Sequence, residues 1–332
     1  RKNLTVRTGA RVSRIVLEGT RARGVDVIFG KKGLESFSAG REIILSAGAI
    51  QSPQVLMLSG IGTEDALTPH GIPLLHRLPG VGQNLQDHVW TGASAFTHIP
   101  TGNSLIKPWN QFRELVKWLM GRRTPLGNSP LEANAFFASV PGMGRPDLQL
   151  HQVPLAINHD YSMDIYDLDT YTRRDGVGVL SILLRPKSRG YIGLHSADPL
   201  AAPRIQPRLL SDPSDMELLM QALRKTIDIL ESPALRKFAP AGVHFPALPH
   251  DDESLRKHIR RTLETLYHPV GTCKMGSDAM SVVDDRLRVR GIEGLRVADA
   301  SIMPTIISGN TNAACIMIGE KAADFVISAL TH

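Results

Sequence analysis

Glu42-Ile43-Ile44-Leu45-Ser46-Ala47-Gly48, running on through Ala49-Ile50-Gln51-Ser52-Pro53-Gln54-Val55-Leu56-Met57-Leu58-Ser59-Gly60-Ile61-Gly62, decides how this chain is read. Glu42 to Leu45 is a short apolar run of the kind that forms a buried strand. Ser46-Ala47-Gly48 is a small-residue turn. Ser52 is expected to cap the helix that follows, with Pro53 at its first position and Gly60 past its last turn. Strand, tight turn and helix in that order make half of a nucleotide-binding unit.

Upstream, Leu4 to Thr8, Ala10 to Leu17 and Gly24 to Phe29 alternate apolar and polar side chains, with Gly9, Glu18-Gly19 and Gly30-Lys31-Lys32-Gly33 as turns. That pattern predicts a three-stranded antiparallel meander. Downstream, a Gly-, Asn- and Asp-rich passage from Gly80 to His88 marks a boundary, and little periodicity is legible from there to about Pro146. Asp147 to Val153 and Gly178 to Arg185 read as strands, and Tyr191 to His195 follows the turn Ser188-Arg189-Gly190. Ser214 and Glu217 have capping-box spacing, after which Leu219, Ala222, Leu223, Ile227 and Leu230 line one helical face. Antiparallel strands with flanking helices predict an α+β domain. Arg286 to Val289 and Gly294 to Val297 are strand-like, and a closing helix is expected from about Ala313 to Ala329.

Two late segments carry chemistry. In Tyr267-His268-Pro269-Val270-Gly271-Thr272-Cys273-Lys274-Met275-Gly276 a histidine sits on a backbone constrained by Pro and Gly. Ser308-Gly309-Asn310-Thr311-Asn312-Ala313 opens the last helix with amides. Histidine is the side chain whose ordinary pKa suits a base near neutrality, whereas an amide can only hold an oxygen by hydrogen bonding. Capping the last helix is the structural alternative for Asn310.

Together with Gly48 to Gly62, these segments resemble the glucose-methanol-choline (GMC) oxidoreductases, flavoenzymes that oxidise alcohols with FAD, and in particular the choline and long-chain alcohol dehydrogenase branch. The resemblance runs from Arg1 to about Leu330. It implies an α/β plus α+β fold: residues 1–77 and 263–332 form parts of a Rossmann-like FAD domain with a β-meander. Residues 78–262 form a linker loop and an antiparallel-sheet substrate domain, flanked by helices, as a cap over the flavin. It implies oxidation of a CH-OH group to the aldehyde, with hydride passing to flavin N5, His268 as base and Asn310 holding the substrate oxygen. Asn310, Thr311 and Asn312 are expected against the flavin ring, Asp299 and Ala300 at its ribityl and pyrophosphate part, Val12 at the adenine, and Ala47 and Gly48 beside the cofactor. A tight strand-to-helix turn accounts for Ala47 and Gly48 equally well. Asn84, Asp87 and His88 match a family loop beside the flavin. Glu132, in Glu132-Ala133-Asn134-Ala135-Phe136, matches a segment that approaches the substrate pocket; its carboxylate suits a cationic alcohol such as choline, and a surface role suits it as well.

The Gly-rich fingerprint that opens this family is absent, because Gly80-Val81-Gly82-Gln83-Asn84-Leu85 has no third glycine and follows Leu78-Pro79, a poor strand. The chain is therefore expected to be the C-terminal part of a longer flavoprotein. Its 332 residues, 42% hydrophobic, fit two domains or one large one. The 38 basic and 32 acidic residues give +6, but the charges are scattered with no basic, aromatic-interleaved stripe, which argues against nucleic acid. Cys273 and Cys315 are too few for a disulfide framework and suit a reducing compartment. The carboxylates Asp160, Asp164, Asp167 and Asp169 lack the spacing of a calcium loop, and no metal site is expected. The expected partners are a small alcohol and, as electron acceptor, a quinone, another carrier or O2. A cytoplasmic location is expected, with peripheral contact to the inner membrane left open. A flavin-containing hydroxynitrile lyase and an inactive fragment are the competing readings.

Overall fold

A computed structural model of the chain describes residues 1–30, 33–127, 129, 131, 133–158, 162–164, 166–247 and 249–329. Contacts divide it into two units: residues 1–87, 188–209 and 267–332 form the first, and residues 88–187 and 210–266 the second. The sequence boundaries differ from this division mainly at Ser188–Leu209. That segment joins the first unit because its strand Gly190–Gly193 pairs with Gln83–Leu85 on one side and Arg204–Gln206 on the other.

The meander of the first unit is antiparallel and three-stranded, built from Arg11–Glu18, Arg21–Ile28 and Leu34–Ser38. Leu4 to Thr8 is not one of its strands. The turn closed by Phe29 N donating to Gly33 O (3.0 Å) folds the later segment onto Arg21–Ile28, leaving Leu4 and Val6 exposed. Ile43–Leu45 is a strand as expected, paired in parallel with Leu295–Val297. Arg286 to Val289 makes only isolated bridges.

The first helix runs Gly48–Leu58, so Pro53 lies inside it and Ser52 is not its cap. A proline cannot donate to the carbonyl four residues back, which here belongs to Ala49. Thr272 Oγ1 donates to that carbonyl instead, at 2.5 Å, and Ser52 Oγ is turned to a second task described below. The core of this unit gathers Leu56, Met57 and Ile61 from around the helix with Ile192, Val270, Val283 and Val297 from distant segments. Cys273 is fully buried in it, and burial raises its thiol far above the usual range, so it packs rather than reacts.

The second unit is an antiparallel sheet ordered Val243–Phe245, Val89–Phe96, Gly176–Leu183, Leu148–Val153, Ala133–Phe137, with Glu264–Thr265 also pairing to Val89–Phe96. Val89–Phe96 had no legible period because seven of its eight residues are buried, on both faces. The helix Pro213–Leu230 packs on this sheet through Leu219, Ala222, Leu223, Ile227 and Leu230. Its cap is Asp212, which accepts from Ser214 N (2.9 Å). Glu217 pairs instead with Arg256 of the helix Asp252–Thr262 at 2.7 Å. Asp164 and Asp167 accept from Tyr166 N and Asp169 N, and Asp169 pairs with Arg173, so these carboxylates shape a loop. Asp160 lies outside the described residues.

His258 is a buried histidine of this unit. Its Nε2 lies 2.8 Å from the Gly92 carbonyl, its ring stands edge-on to Phe245, and burial pulls its pKa from 6.5 to about 4. The unfolded chain then binds a proton that the folded unit refuses, so stability is full above pH 6.5 and falls as pH drops towards 4, by roughly 3 kcal/mol for this group. Urea denaturation followed by tryptophan fluorescence is expected to show that loss, since Trp90, Trp109 and Trp118 all lie in this unit. His258→Gln, which keeps a donor but does not titrate, is expected to flatten the curve; parallel curves contradict the assignment.

Candidate active site

His268 and Asn310 meet in the first unit. Asn310 Nδ2 is 3.5 Å from His268 Nε2, across 42 residues of chain. Thr311, not Asn310, occupies the N-cap of the closing helix Asn312–Ser328 and makes no side-chain capping bond. The amide of Asn310 therefore serves no cap. An amide nitrogen only donates, so its approach to Nε2 matches a neutral ring carrying its proton on Nδ1. The ring is half-buried, and that desolvation holds its pKa below 6.5. A neutral imidazole beside an amide donor can take a hydroxyl proton on Nε2, and the amide can steady the oxygen left behind.

The backbone under His268 is held by the loop 84–87. Tyr267 adopts φ +55, unfavourable for a bulky residue, and Asp87 Oδ1 accepts from the next amide, His268 N, at 2.9 Å. Val270 and Gln86 exchange both backbone hydrogen bonds (2.9 and 3.1 Å). The Gln86 side chain then reaches the other catalytic segment: Nε2 donates to Pro304 O and Oε1 accepts from Ile306 N, both at 3.2 Å. Gln86 is 2% exposed, so these bonds form away from water. Gly271, at φ +95, lies where a Cβ would stand 2.5 Å from Asn84 O, which fixes glycine at that position.

Asp299 organises a second cluster. Its Oδ1 accepts from Ser301 N (2.8 Å), while Oδ2 accepts from Gly48 N (2.9 Å) and Ser52 Oγ (2.5 Å). Ser52 Oγ in turn accepts from Ala47 N (3.1 Å). Ala47, Gly48, Asp299 and Ala300 are thus tied together at the start of the first helix. Gly271 N donates to Ala300 O (3.2 Å), and Cys273 N to Ser301 O (2.9 Å), joining this cluster to the His268 segment. Val12 is not drawn into it by a hydrogen bond among the described residues; it stands on the edge strand of the meander, beside a bulge. Glu132 lies outside the described residues. Its neighbour Asn134 is an exposed strand residue.

Sequence reasoning placed Asn84 and Asp87 in a structural loop but gave Gln86 no part. An interior amide bridging two loops leaves no periodic trace; the only available signal was its place between Asn84 and Asp87. Gln86→Leu keeps the backbone bonds to Val270 and removes the bond to Ile306 N. A buried donor left unmatched costs about 1–3 kcal/mol, so amide exchange at Ile306 is expected to rise roughly tenfold to a hundredfold while Val270 keeps its protection. Equal loosening at both, or at neither, contradicts the bridge.

Two family models described as GMC oxidoreductase match this chain, over residues 1–90 and 186–319. The oxygen-dependent choline dehydrogenase of Escherichia coli O127:H6 (strain E2348/69 / EPEC) is 39% identical over 328 residues, covering 98% of this chain and 58% of that protein. Among solved structures, pyridoxine 4-oxidase from Mesorbium loti superposes with a TM-score of 0.83 at 29% identity, over 98% of this chain and 58% of that one. A formate oxidase of Aspergillus oryzae RIB40, studied for modification of its FAD, gives 0.85 at 25% identity, over 96% and 60%. The chain spans about 58% of the length of the curated relatives it matches. With the His268–Asn310 pair and the Asp299 cluster in place, these matches identify the chain as a member of the GMC oxidoreductase family.

Proposed function

We propose that this chain belongs to an FAD-dependent oxidoreductase that converts an alcohol CH-OH group to the aldehyde. The observation that carries the reading is the pairing of His268 Nε2 with Asn310 Nδ2 at 3.5 Å. His268 takes the hydroxyl proton on Nε2, and the Asn310 amide donates to the oxygen as negative charge develops on it. Bound FAD supplies the acceptor for the two electrons that leave with the carbinol hydrogen.

The residues present suit that cofactor. No side-chain cap and no acidic residue blocks the first turn of the 17-residue closing helix, and Asn312 and Ala313 are exposed. Unpaired N-H groups and the positive end of the helix favour an electron-rich ring carbonyl there, with Asn310, Thr311 and Asn312 as its neighbours. Gly48 has open space where a Cβ would point, so nothing crowds the turn that Asp299 fastens. Ala47, Gly48, Asp299 and Ala300 are assigned to the ribityl and pyrophosphate part, and Val12 to the adenine.

Choline and pyridoxine, named in two relatives, both carry a primary alcohol, and a primary alcohol is the substrate class we assign. One relative is named an oxygen-dependent dehydrogenase and others oxidases, names that favour O2 as the electron acceptor; a quinone or similar carrier is the alternative. A cytoplasmic location belongs to the same proposal.

The test is anaerobic. FAD is added to the purified protein, the unbound excess removed, and the flavin band followed while alcohols are added. Alcohol-dependent bleaching is expected, slowed roughly 10²–10⁴-fold in His268→Ala without loss of the bound colour. A flavin that stays yellow while a hydroxynitrile is cleaved contradicts oxidation. Because only neutral imidazole accepts the proton, the bleaching rate is expected to fall on the acid side with a midpoint below 6.5, the direction in which burial moves His268. A midpoint above 6.5 contradicts the role given to that residue.

A further inference from the structure

In the second unit the helix Pro108–Leu119 is turned the wrong way round for a globular protein. Its inward side is polar: Glu114 is its buried residue, Asn110 Nδ2 donates to Ser104 O (2.7 Å), and Lys117 Nζ pairs with Glu114 Oε1 (2.7 Å). Trp109, Phe112, Leu115, Val116, Trp118 and Leu119 are all exposed, from 38% at Val116 to 72% at Trp109. At 100° per residue, Trp109, Phe112, Val116 and Leu119 lie within about 40° of the direction opposite Glu114, Leu115 extends that face to one side, and Trp118 stands about 40° from Glu114 near the helix's other end. Met120, just beyond, is exposed too. Contiguous apolar surface of this extent marks an interaction site.

The charges around the face say what covers it. Lys107, Arg113, Lys117, Arg122 and Arg123 surround it, and Glu114, the one acidic residue from 107 to 123, is buried between Arg113 (3.4 Å) and Lys117 (2.7 Å). An apolar strip that begins with Trp109, with an exposed Trp118 near the other end of the helix and long basic side chains around it, matches the chemistry of an anionic membrane surface: aromatic rings near the headgroup level, aliphatic groups below, cations against phosphate. Twelve residues make a helix of about 18 Å, and no helix among the described residues is long and apolar enough to cross a membrane. We propose that Pro108–Leu119 lies flat in the interface of an anionic bilayer and docks the protein there. The proposal stands apart from the flavin chemistry and survives its failure.

The purified protein is mixed with vesicles of phosphatidylcholine alone or with about one third phosphatidylglycerol, and binding is read by co-sedimentation and by the emission of Trp109 and Trp118, Trp90 being buried. Binding to the anionic vesicles with a blue-shifted emission, weakened by salt, is expected. Phe112→Glu with Leu119→Glu, and separately Arg122→Glu with Arg123→Glu, are each expected to weaken it tenfold or more. All four positions lie at the surface, so far-UV circular dichroism should not change. Absence of binding to either vesicle overturns the proposal. So does a dimer that Leu119→Glu dissolves, which assigns the face to a second copy, and so does vesicle binding indifferent to both double variants.

Discussion

Gln86 is the constraint on which the chemistry of the first unit rests. Its backbone grips Val270 and its side chain grips Pro304 and Ile306. The histidine segment and the amide segment arise 42 residues apart, and neither is a regular element that could position its own side chains. A fully satisfied interior amide does so because each of its bonds, once broken, leaves a polar group away from water. The Asp87 carboxylate and the glycine at 271 work on the same backbone. One caps the amide after a strained Tyr267, and the other admits the loop at a distance no side chain tolerates.

Asp299 plays the matching part for the start of the first helix. Three donors converge on its carboxylate, and one of them, Ser52 Oγ, is available because the helix begins earlier than a Ser-Pro pair suggests. Pro53 inside that helix leaves the Ala49 carbonyl without its helical donor, and Thr272, four residues after His268, supplies one. The proline, the threonine and the catalytic segment are in this way parts of one arrangement. Burial of the His268 ring keeps it neutral at ordinary pH, which is the state in which a base and an amide donor can share one substrate oxygen.

The sequence carried the parts of this fold that repeat. The face of the helix Pro213–Leu230, two of the meander's three strands and the strand at Ile43 were legible from period and turn residues. Val89–Phe96 was not, because a strand buried on both faces has no alternation; Pro108–Leu119 was passed over although Phe112, Leu115, Val116 and Leu119 recur at helical spacing. Boundaries failed where a side chain took an unexpected partner: Asp212 capped in place of Ser214, and Ser52 turned to Asp299. His268 and Asn310 were found through the motifs around them. Their meeting depends on Gln86, and nothing in composition or spacing announces a buried bridge. The surface helix shows the same limit from the other side, since an amphipathic pattern gives the helix but not the direction in which it faces.

The state of the His268 ring is open to direct measurement by a nitrogen-15 NMR pH titration of the side chain in the wild-type protein. A neutral ring protonated on Nδ1, with Nε2 bare and a pKa below 6.5, is the predicted result. A ring that is cationic at pH 7, or that carries its proton on Nε2, contradicts a base held ready beside Asn310.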